Sequence, residues 1–229
     1  MREITNEPLI KRNIILSKAL SAAGLLVLIS GLVVSFVRPD LSILPFYTLV
    51  TGFLLSNVGM YMNNRYTREP RPDLAISKAL KGLDDRYRIY HYRLPATHTL
   101  IGPQGVYAIV TKFQGGKIWW DHKRKRLAHQ GTSLFRRIFA QESLGNPIAE
   151  AGSEAQRLAK YLGRHFGDEA PPVFPLIVFT NPKIEIGELK NIPVPVLKAK
   201  RLNPYLRKLG KGDGLSDKQL VELEKQLNL

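Results

Sequence analysis

Thr97-His98-Thr99-Leu100-Ile101-Gly102-Pro103-Gln104-Gly105-Val106-Tyr107-Ala108-Ile109-Val110-Thr111-Lys112 holds two runs of β-branched and apolar residues on either side of a Gly-Pro-Gln-Gly turn. Thr, Ile, Val and Tyr suit a pleated, half-buried backbone, and Pro followed by Gly supplies a tight reversal. Residues 98–102 and 105–113 therefore read as a β-hairpin whose second strand carries Lys112 near its end.

Working outward, a strand at 87–94 precedes the hairpin, and one at 117–120 follows it across Gly115-Gly116, which predicts a meander. Before it, Asp73 reads as a helix N-cap, with Ile76, Leu80 and Leu83 on one helical face. After it, Asn146-Pro147 opens a helix striped by Ile148, Ala151, Ala155, Leu158, Leu162 and Phe166. The nearly unbroken apolar run 173–180 predicts a strand covered on both faces, and 194–197 a further one. Pro204 is expected to open a short helix, Gly210, Gly212 and Gly214 to form a loop, and Ser216 with Gln219 to box the start of a helix through Leu220, Leu223 and Leu227. Helix, meander, helix, strand, strand, helix is the order of an α/β domain with a mixed central sheet flanked by helices.

The first sixty residues are of another kind. No charged residue occurs at 19–37 or at 43–62, so each run approaches the roughly 20 apolar residues that cross a bilayer core. Only Arg38-Pro39-Asp40-Leu41-Ser42 separates them, which forces two antiparallel helices. A signal peptide fits poorly, because the run is long, lacks a small-residue cleavage site and is followed at once by a second span. Buried soluble helices fit poorly too, since neither run has a polar face. Lys18 can snorkel at the edge of the first span. Gly24 and Gly31, and likewise Gly52 and Gly59, lie seven apart and so share one face of their helix, where backbones can approach. Asn57 reads as interhelical glue. Arg2, Lys11, Arg12 and Lys18 before the hairpin, and Arg65, Arg68 and Arg71 after it, outweigh Arg38 in the turn, so both ends are expected on the cytoplasmic side of a cell membrane. The expected organisation is an N-terminal segment at 1–13, a transmembrane hairpin at 14–62, a linker at 63–72 and an α/β domain at 73–229.

Charge narrows the partners. The chain has 34 Lys and Arg against 19 Asp and Glu; five and three of these fall in the first 64 residues, leaving 29 against 16 beyond them. A domain this basic calls for an acidic partner, and nucleic acid and anionic lipid both qualify. Trp119-Trp120-Asp121 followed by His122, Lys123, Arg124, Lys125 and Arg126 combines cations with an aromatic ring, the means of tracking phosphates and stacking bases. Lys117, Trp120 and Lys123 to Arg126 are the candidate nucleic-acid-binding residues, with Arg136, Arg137, Lys198, Lys200 and Arg201 adding to the field if they share a face. The same turn could lean on anionic lipid or a docked protein. The chain has no Cys, which excludes disulfides, thiol nucleophiles and Cys-ligated zinc. H-E-x-x-H, G-x-S-x-G and a P-loop are absent as well.

His98, Pro103, Gly105, Ile109, Thr111, Lys112, Gly116 and Ile118, with Asn146-Pro147, Phe179-Thr180-Asn181 and the capped last helix, resemble the nuclease-related domain (NERD) family, a branch of the PD-(D/E)XK nuclease fold. The resemblance runs from about residue 73 to 229. It implies an Asp opening the first hairpin strand and a Glu two residues before Lys112, which together hold Mg²⁺ for phosphodiester cleavage. Thr97 and Val110 stand at those positions. Val offers no ligand and a hydroxyl only a weak neutral one, so a non-catalytic domain that binds without a cofactor is expected, with Lys112 a relic that binds phosphate or merely ends a strand. Asp73 lies where relatives often carry a helix-start Glu, and Glu150 where a Gln commonly follows Asn-Pro. The alternative is a Mg²⁺-dependent nuclease with relocated carboxylates drawn from Asp73, Glu150 or Asp121. It requires at least two carboxylates within metal reach of Lys112.

Overall fold

The computed structural model describes residues 1–41, 43–131, 143–209 and 215–226. Gly210, Gly212, Gly214 and Leu227 fall outside them. The chain divides into two units: Glu7–Arg71 forms a helical one, and the described residues of 1–6 and from 72 onward form the α/β one.

In the helical unit, α1 (Glu7–Val37) and α2 (Ile43–Tyr66) are joined by a single 3₁₀ turn at Pro39–Leu41. Both helices are long and apolar enough to cross a membrane, and most of their side chains are exposed. Gly24, Gly31, Gly52 and Gly59 line the seam between them. A Cβ on Gly24 would lie 2.7 Å from the Ser56 amide nitrogen, one on Gly52 2.9 Å from Gly24 O, and one on Gly59 2.7 Å from the Ser21 amide nitrogen. Such backbone neighbours cannot turn aside as a side chain can, so only glycine allows this approach. Asn57 donates to Phe53 O of its own helix.

The α/β unit begins with β1 (Arg2–Thr5), which pairs in parallel with β2 (Arg88–His91). The sequence reading assigned these residues to a cytoplasmic N-terminal segment. The structure instead buries Ile4 among Tyr90, Ile101 and Leu220. Four alternating residues are too short a period to stand out, and it is burial of Ile4 that makes the strand. The chain leaves this unit after Asn6 and returns at Pro72. The linker is also shorter than expected, because α2 runs to Tyr66 and α3 (Pro72–Leu80) starts at once, leaving residues 67–71.

β3 (His98–Gly102) and β4 (Gly105–Lys112) form the expected hairpin, and β2 pairs antiparallel with β3. The strand expected at 87–94 stops at His91, since Tyr92 takes a φ of 57° that an extended strand cannot hold. β5 (Gly116–Asp121) and β6 (Arg126–Gln130) follow, then α4 (Pro147–Phe166), β7 (Val173–Phe179), β8 (Ile184–Ile186), β9 (Val196–Lys198), α5 (Ala199–Lys208) and α6 (Asp217–Gln226). Gly116 has φ 86° and lies so close to β6 that an added Cβ would stand 3.0 Å from Gly131 Cα. That approach opens the second hairpin. α5 begins five residues before Pro204, which sits exposed inside it.

Among the described residues the strands form two sheets: a mixed six-stranded one ordered β1-β2-β3-β4-β7-β9, and a three-stranded one ordered β6-β5-β8. The period of two along β4 splits the core. Val106 and Ala108 meet Ala155, Leu158 and Leu162 of α4, while Tyr107 and Ile109 meet Ile76 and Leu80 of α3 and Leu202 and Leu206 of α5. A third cluster, with Val110, Ile118, Ala151, Ile177 and Phe179, binds the two sheets together. α6 closes the first cluster with Leu220 and Leu223, and its Glu224 accepts from Tyr90 Oη at 3.2 Å while pairing with Arg2 at 3.0 Å and Arg88 at 3.1 Å. This carboxylate ties the helix to β1 and β2. Burial, and next the Glu224 charge, push the Tyr90 hydroxyl up to about 12.

Candidate functional site

The hairpin register puts His98 opposite Ile109, and one step further puts Thr97 opposite Val110. The two positions expected to be acidic therefore stand side by side at one end of the sheet, on the face covered by α4, with Lys112 next along β4. Val110 is buried in the third apolar cluster beside Ala151 and Ile177. Asn146 caps α4 by accepting from the Ala149 amide, and the helix then runs along this strand end.

Two carboxylates of α4, one turn apart, occupy the place. Glu150 Oε2 accepts from Lys112 Nζ at 2.5 Å. Glu154 Oε2 accepts from the Thr97 amide at 2.8 Å, and its Oε1 from the Thr97 hydroxyl at 2.7 Å. Arg157 Nη2 lies 3.7 Å from Glu154 Oε1. Glu154 is buried and Glu150 exposed. The Lys112 carbonyl accepts from the Thr180 amide at 2.8 Å, and Asn181 Nδ2 donates to Phe113 O at 3.0 Å. Phe179-Thr180-Asn181 thus clamps the end of β4 through its backbone, which is what those residue types at a strand exit can do.

Glu154 is absent from the sequence reading, although a signal was there. It lies on the buried face of the most regularly striped helix, three residues after Ala151 and four before Leu158. A carboxylate on such a face needs a hydrogen-bond partner, because burying it without one is costly. Of the three carboxylates considered as replacements, Glu150 alone reaches Lys112 among the contacts described. Asp73 is buried at the start of α3, on the opposite side of the sheet. Asp121 Oδ1 accepts from the Lys123 and Arg124 amides at 3.0 Å each and so shapes the β5–β6 turn. Among the described residues, no three His, Asp or Glu side chains gather as they would around a metal ion.

The basic turn stands apart from this strand end, on the three-stranded sheet. Lys123, Arg124, Lys125 and Arg126 are all exposed, as is Lys117 on β5. Trp120 faces inward with Ile118 and packs against the third cluster, its ring edge-on to His122. Trp119 points from the other face with Lys117, by the two-residue period of a strand. Lys200 and Arg201 are exposed on α5 and Lys198 is half-buried before it, whereas Arg136 and Arg137 lie outside the described residues. A cavity of about 480 Å³ lined by Asp84, Asp85, Arg86 and Asp217 sits at the Gly102-Pro103 turn, the end of the hairpin away from Thr97 and Lys112.

No curated protein and no solved structure is matched by this chain. Residues 71–180 match the family model of the NERD, the nuclease-related domain, a span that holds the strand pair, Lys112, the basic turn and α4 and ends at Thr180. The chain carries a nuclease-related domain.

Proposed function

We propose that this protein is a membrane-anchored, nuclease-related protein that binds nucleic acid through the basic β5–β6 turn and does not cleave it by metal chemistry. One observation carries the second half: the Lys112 ammonium is held by Glu150, and the neighbouring acidic positions are a buried Val110 and a Thr97 bonded to Glu154. These residues do not fit a divalent cation. Mg²⁺ takes hard, anionic oxygens in octahedral array, whereas here Val110 offers none and the two carboxylates present are already engaged, Glu150 by the Lys112 ammonium and Glu154 by the amide and hydroxyl of Thr97. The phosphate-binding part accordingly falls to Lys117, Lys123, Arg124, Lys125 and Arg126, which have water around them and phosphates to gain.

Anchoring is supported by the two apolar helices and their glycine seam. The pairing of β1 with β2 adds a topological argument. The strand before α1 and the strand after α2 share one sheet, which supports a hairpin with both ends on the same side of the membrane, and the Lys/Arg bias favours the cytoplasmic side.

Anisotropy of a labelled single-stranded oligonucleotide, titrated with the full chain across a salt series, tests the reading. Five phosphate contacts give a slope of log K against log salt of about −3.5, and neutralising Lys123, Arg124 and Lys125 to Ala brings it to about −1.4. No binding at low salt, or a slope unchanged in the triple variant, refutes the binding surface. Mg²⁺-dependent cleavage that Glu150→Gln abolishes refutes the non-catalytic assignment.

A further inference from the structure

The face of the six-stranded sheet opposite α4 is covered by α3 and α5, and the outer side of this helix pair is cationic. Both helices turn their apolar residues into the second cluster through Ile76, Leu80, Leu202 and Leu206. They are locked edge to edge: Asn203 Nδ2 donates to Lys81 O at 2.9 Å, and Arg207 Nη2 to Gly82 O at 2.6 Å. Outward stand Lys78 and Lys81 from α3 and its end, and Lys200, Arg201 and Lys208 from α5, all exposed. α5 contains no acidic residue, and Asp73, the one in α3, is buried. In the following loop, Asp84 is bound by Arg86 at 2.6 Å and Asp85 by the Met1 ammonium at 2.9 Å.

One exposed apolar side chain completes the pattern. Leu74 is 53% exposed and shares a stripe with Lys78 and Lys81 at the i, i+4, i+7 spacing of a helix surface. It lies at the start of α3, next in sequence to the apolar hairpin. Residues 67–71 alone separate the end of α2 from α3, and five extended residues span about 18 Å at most. A headgroup layer at the end of α2 is therefore held at high effective concentration near these cations, within a few Debye lengths of about 8–10 Å. The layer presents cations and one leucine, with Tyr205 turned into the cluster beneath, so it lacks an exposed ring on which a base could stack.

We propose that the α3–α5 layer docks onto anionic lipid headgroups of the anchoring bilayer, with Lys78, Lys81, Lys200, Arg201 and Lys208 meeting phosphates and carboxylates and Leu74 entering the interface. This rests on the membrane-anchored reading above, and it assigns the domain a face turned to lipid that is distinct from the β5–β6 turn. The two surfaces divide the labour: one holds the domain against the membrane while the other stays open to nucleic acid.

The full chain is placed in nanodiscs of phosphatidylcholine alone or mixed with phosphatidylserine, and lysine acylation is followed residue by residue by mass spectrometry. Labelling of Lys78, Lys81, Lys200 and Lys208 falls about fivefold or more in the anionic discs, the factor one cation gains at such a surface, and recovers at high salt. Lys123 and Lys125 label equally in both. The exposed triple variant Lys200→Glu, Arg201→Glu, Lys208→Glu abolishes the protection of Lys78 and Lys81. If the chain enters discs but labels alike in both lipids, the docking face is refuted while anchoring stands. Failure to enter any disc refutes the anchoring and the docking with it. Protection of the same lysines by an added oligonucleotide in phosphatidylcholine discs, with no effect of phosphatidylserine, also overturns the proposal and gives the face to nucleic acid.

Discussion

Glu154→Ala separates a structural carboxylate from a catalytic one. In the native fold Glu154 is buried and accepts from both the Thr97 amide at 2.8 Å and the Thr97 hydroxyl at 2.7 Å. Truncation leaves two donors without this acceptor, at about 1–3 kcal/mol each. Part is returned because Ala is the better helix former, by a few tenths of a kcal/mol, and because a buried carboxylate is removed. Arg157 is over half exposed and re-solvates at little cost. The net expectation is a loss of about 2–4 kcal/mol, or roughly 5–12 °C in melting temperature for a domain of this size. Glu154→Gln keeps one acceptor and loses about half as much, and Thr97→Val about 1 kcal/mol. The double variant falls short of additivity by about 1–2 kcal/mol, since the two residues share their bonds. The chain's two tryptophans, Trp119 and Trp120, both lie on β5, so fluorescence during urea unfolding of the full chain in detergent reports on the α/β unit alone. Single-variant losses that simply add, or a Glu154→Ala cost below about 0.5 kcal/mol, would refute the bond to Thr97 as the role of this residue. Stabilisation of the parent by Mg²⁺ that vanishes in Glu154→Ala would move it to a metal site.

Three further outcomes follow from the geometry. Gly59→Val places a Cβ 2.7 Å from the Ser21 amide nitrogen and 3.1 Å from Ser17 O, so the hairpin must splay, and protease sites in α1 and α2 should open in detergent while tryptophan fluorescence stays native. Gly152→Ala fills open space on the exposed side of α4 and should raise stability by about 0.5–1 kcal/mol in the same urea assay; a loss would mean the helix is not continuous there. Tyr90 holds its proton longer folded than unfolded, up to about 12 against an ordinary 10.0, so the stability it contributes is complete below pH 10 and drains away as pH climbs from 10 toward 12. Tyr107, likewise pushed up to about 12 by burial, adds in the same direction. The part of the phenolate absorbance that is lost in Tyr90→Phe should therefore appear together with unfolding, and that variant should weaken the alkaline loss; the same part forming in a still-folded protein would contradict the burial of this ring.

The strand end shows how far residue types alone can carry a site. Thr97, Val110 and Lys112 were singled out by the resemblance of this hairpin to the nuclease-related domain, and the Pro-Gly turn sets the register that puts Thr97 opposite Val110. The places of Glu150 and Glu154 were not legible, since their distance from the hairpin depends on how α4 lies on the sheet. A contact 57 residues apart in sequence, such as Thr97 with Glu154, leaves no local trace beyond a charge on an apolar stripe. Trp120 makes the same point in reverse: the tryptophan pair is visible in sequence, but which ring packs inward waits on the three-stranded sheet.

By itself the sequence determined the two apolar helices, the glycines on their shared faces, the hairpin, the striped helix α4 and the basic turn. Each depends on neighbours within about ten residues, where periodicity, turn chemistry and charge act directly. Only the tertiary structure decided that residues 2–5 close the sheet beside β2, that the strands of the described residues divide into two sheets, and that Lys112 spends its charge on Glu150. Those outcomes turn on long-range pairings, whose free energy comes from burying distant surfaces against one another and is therefore written in no single stretch of chain.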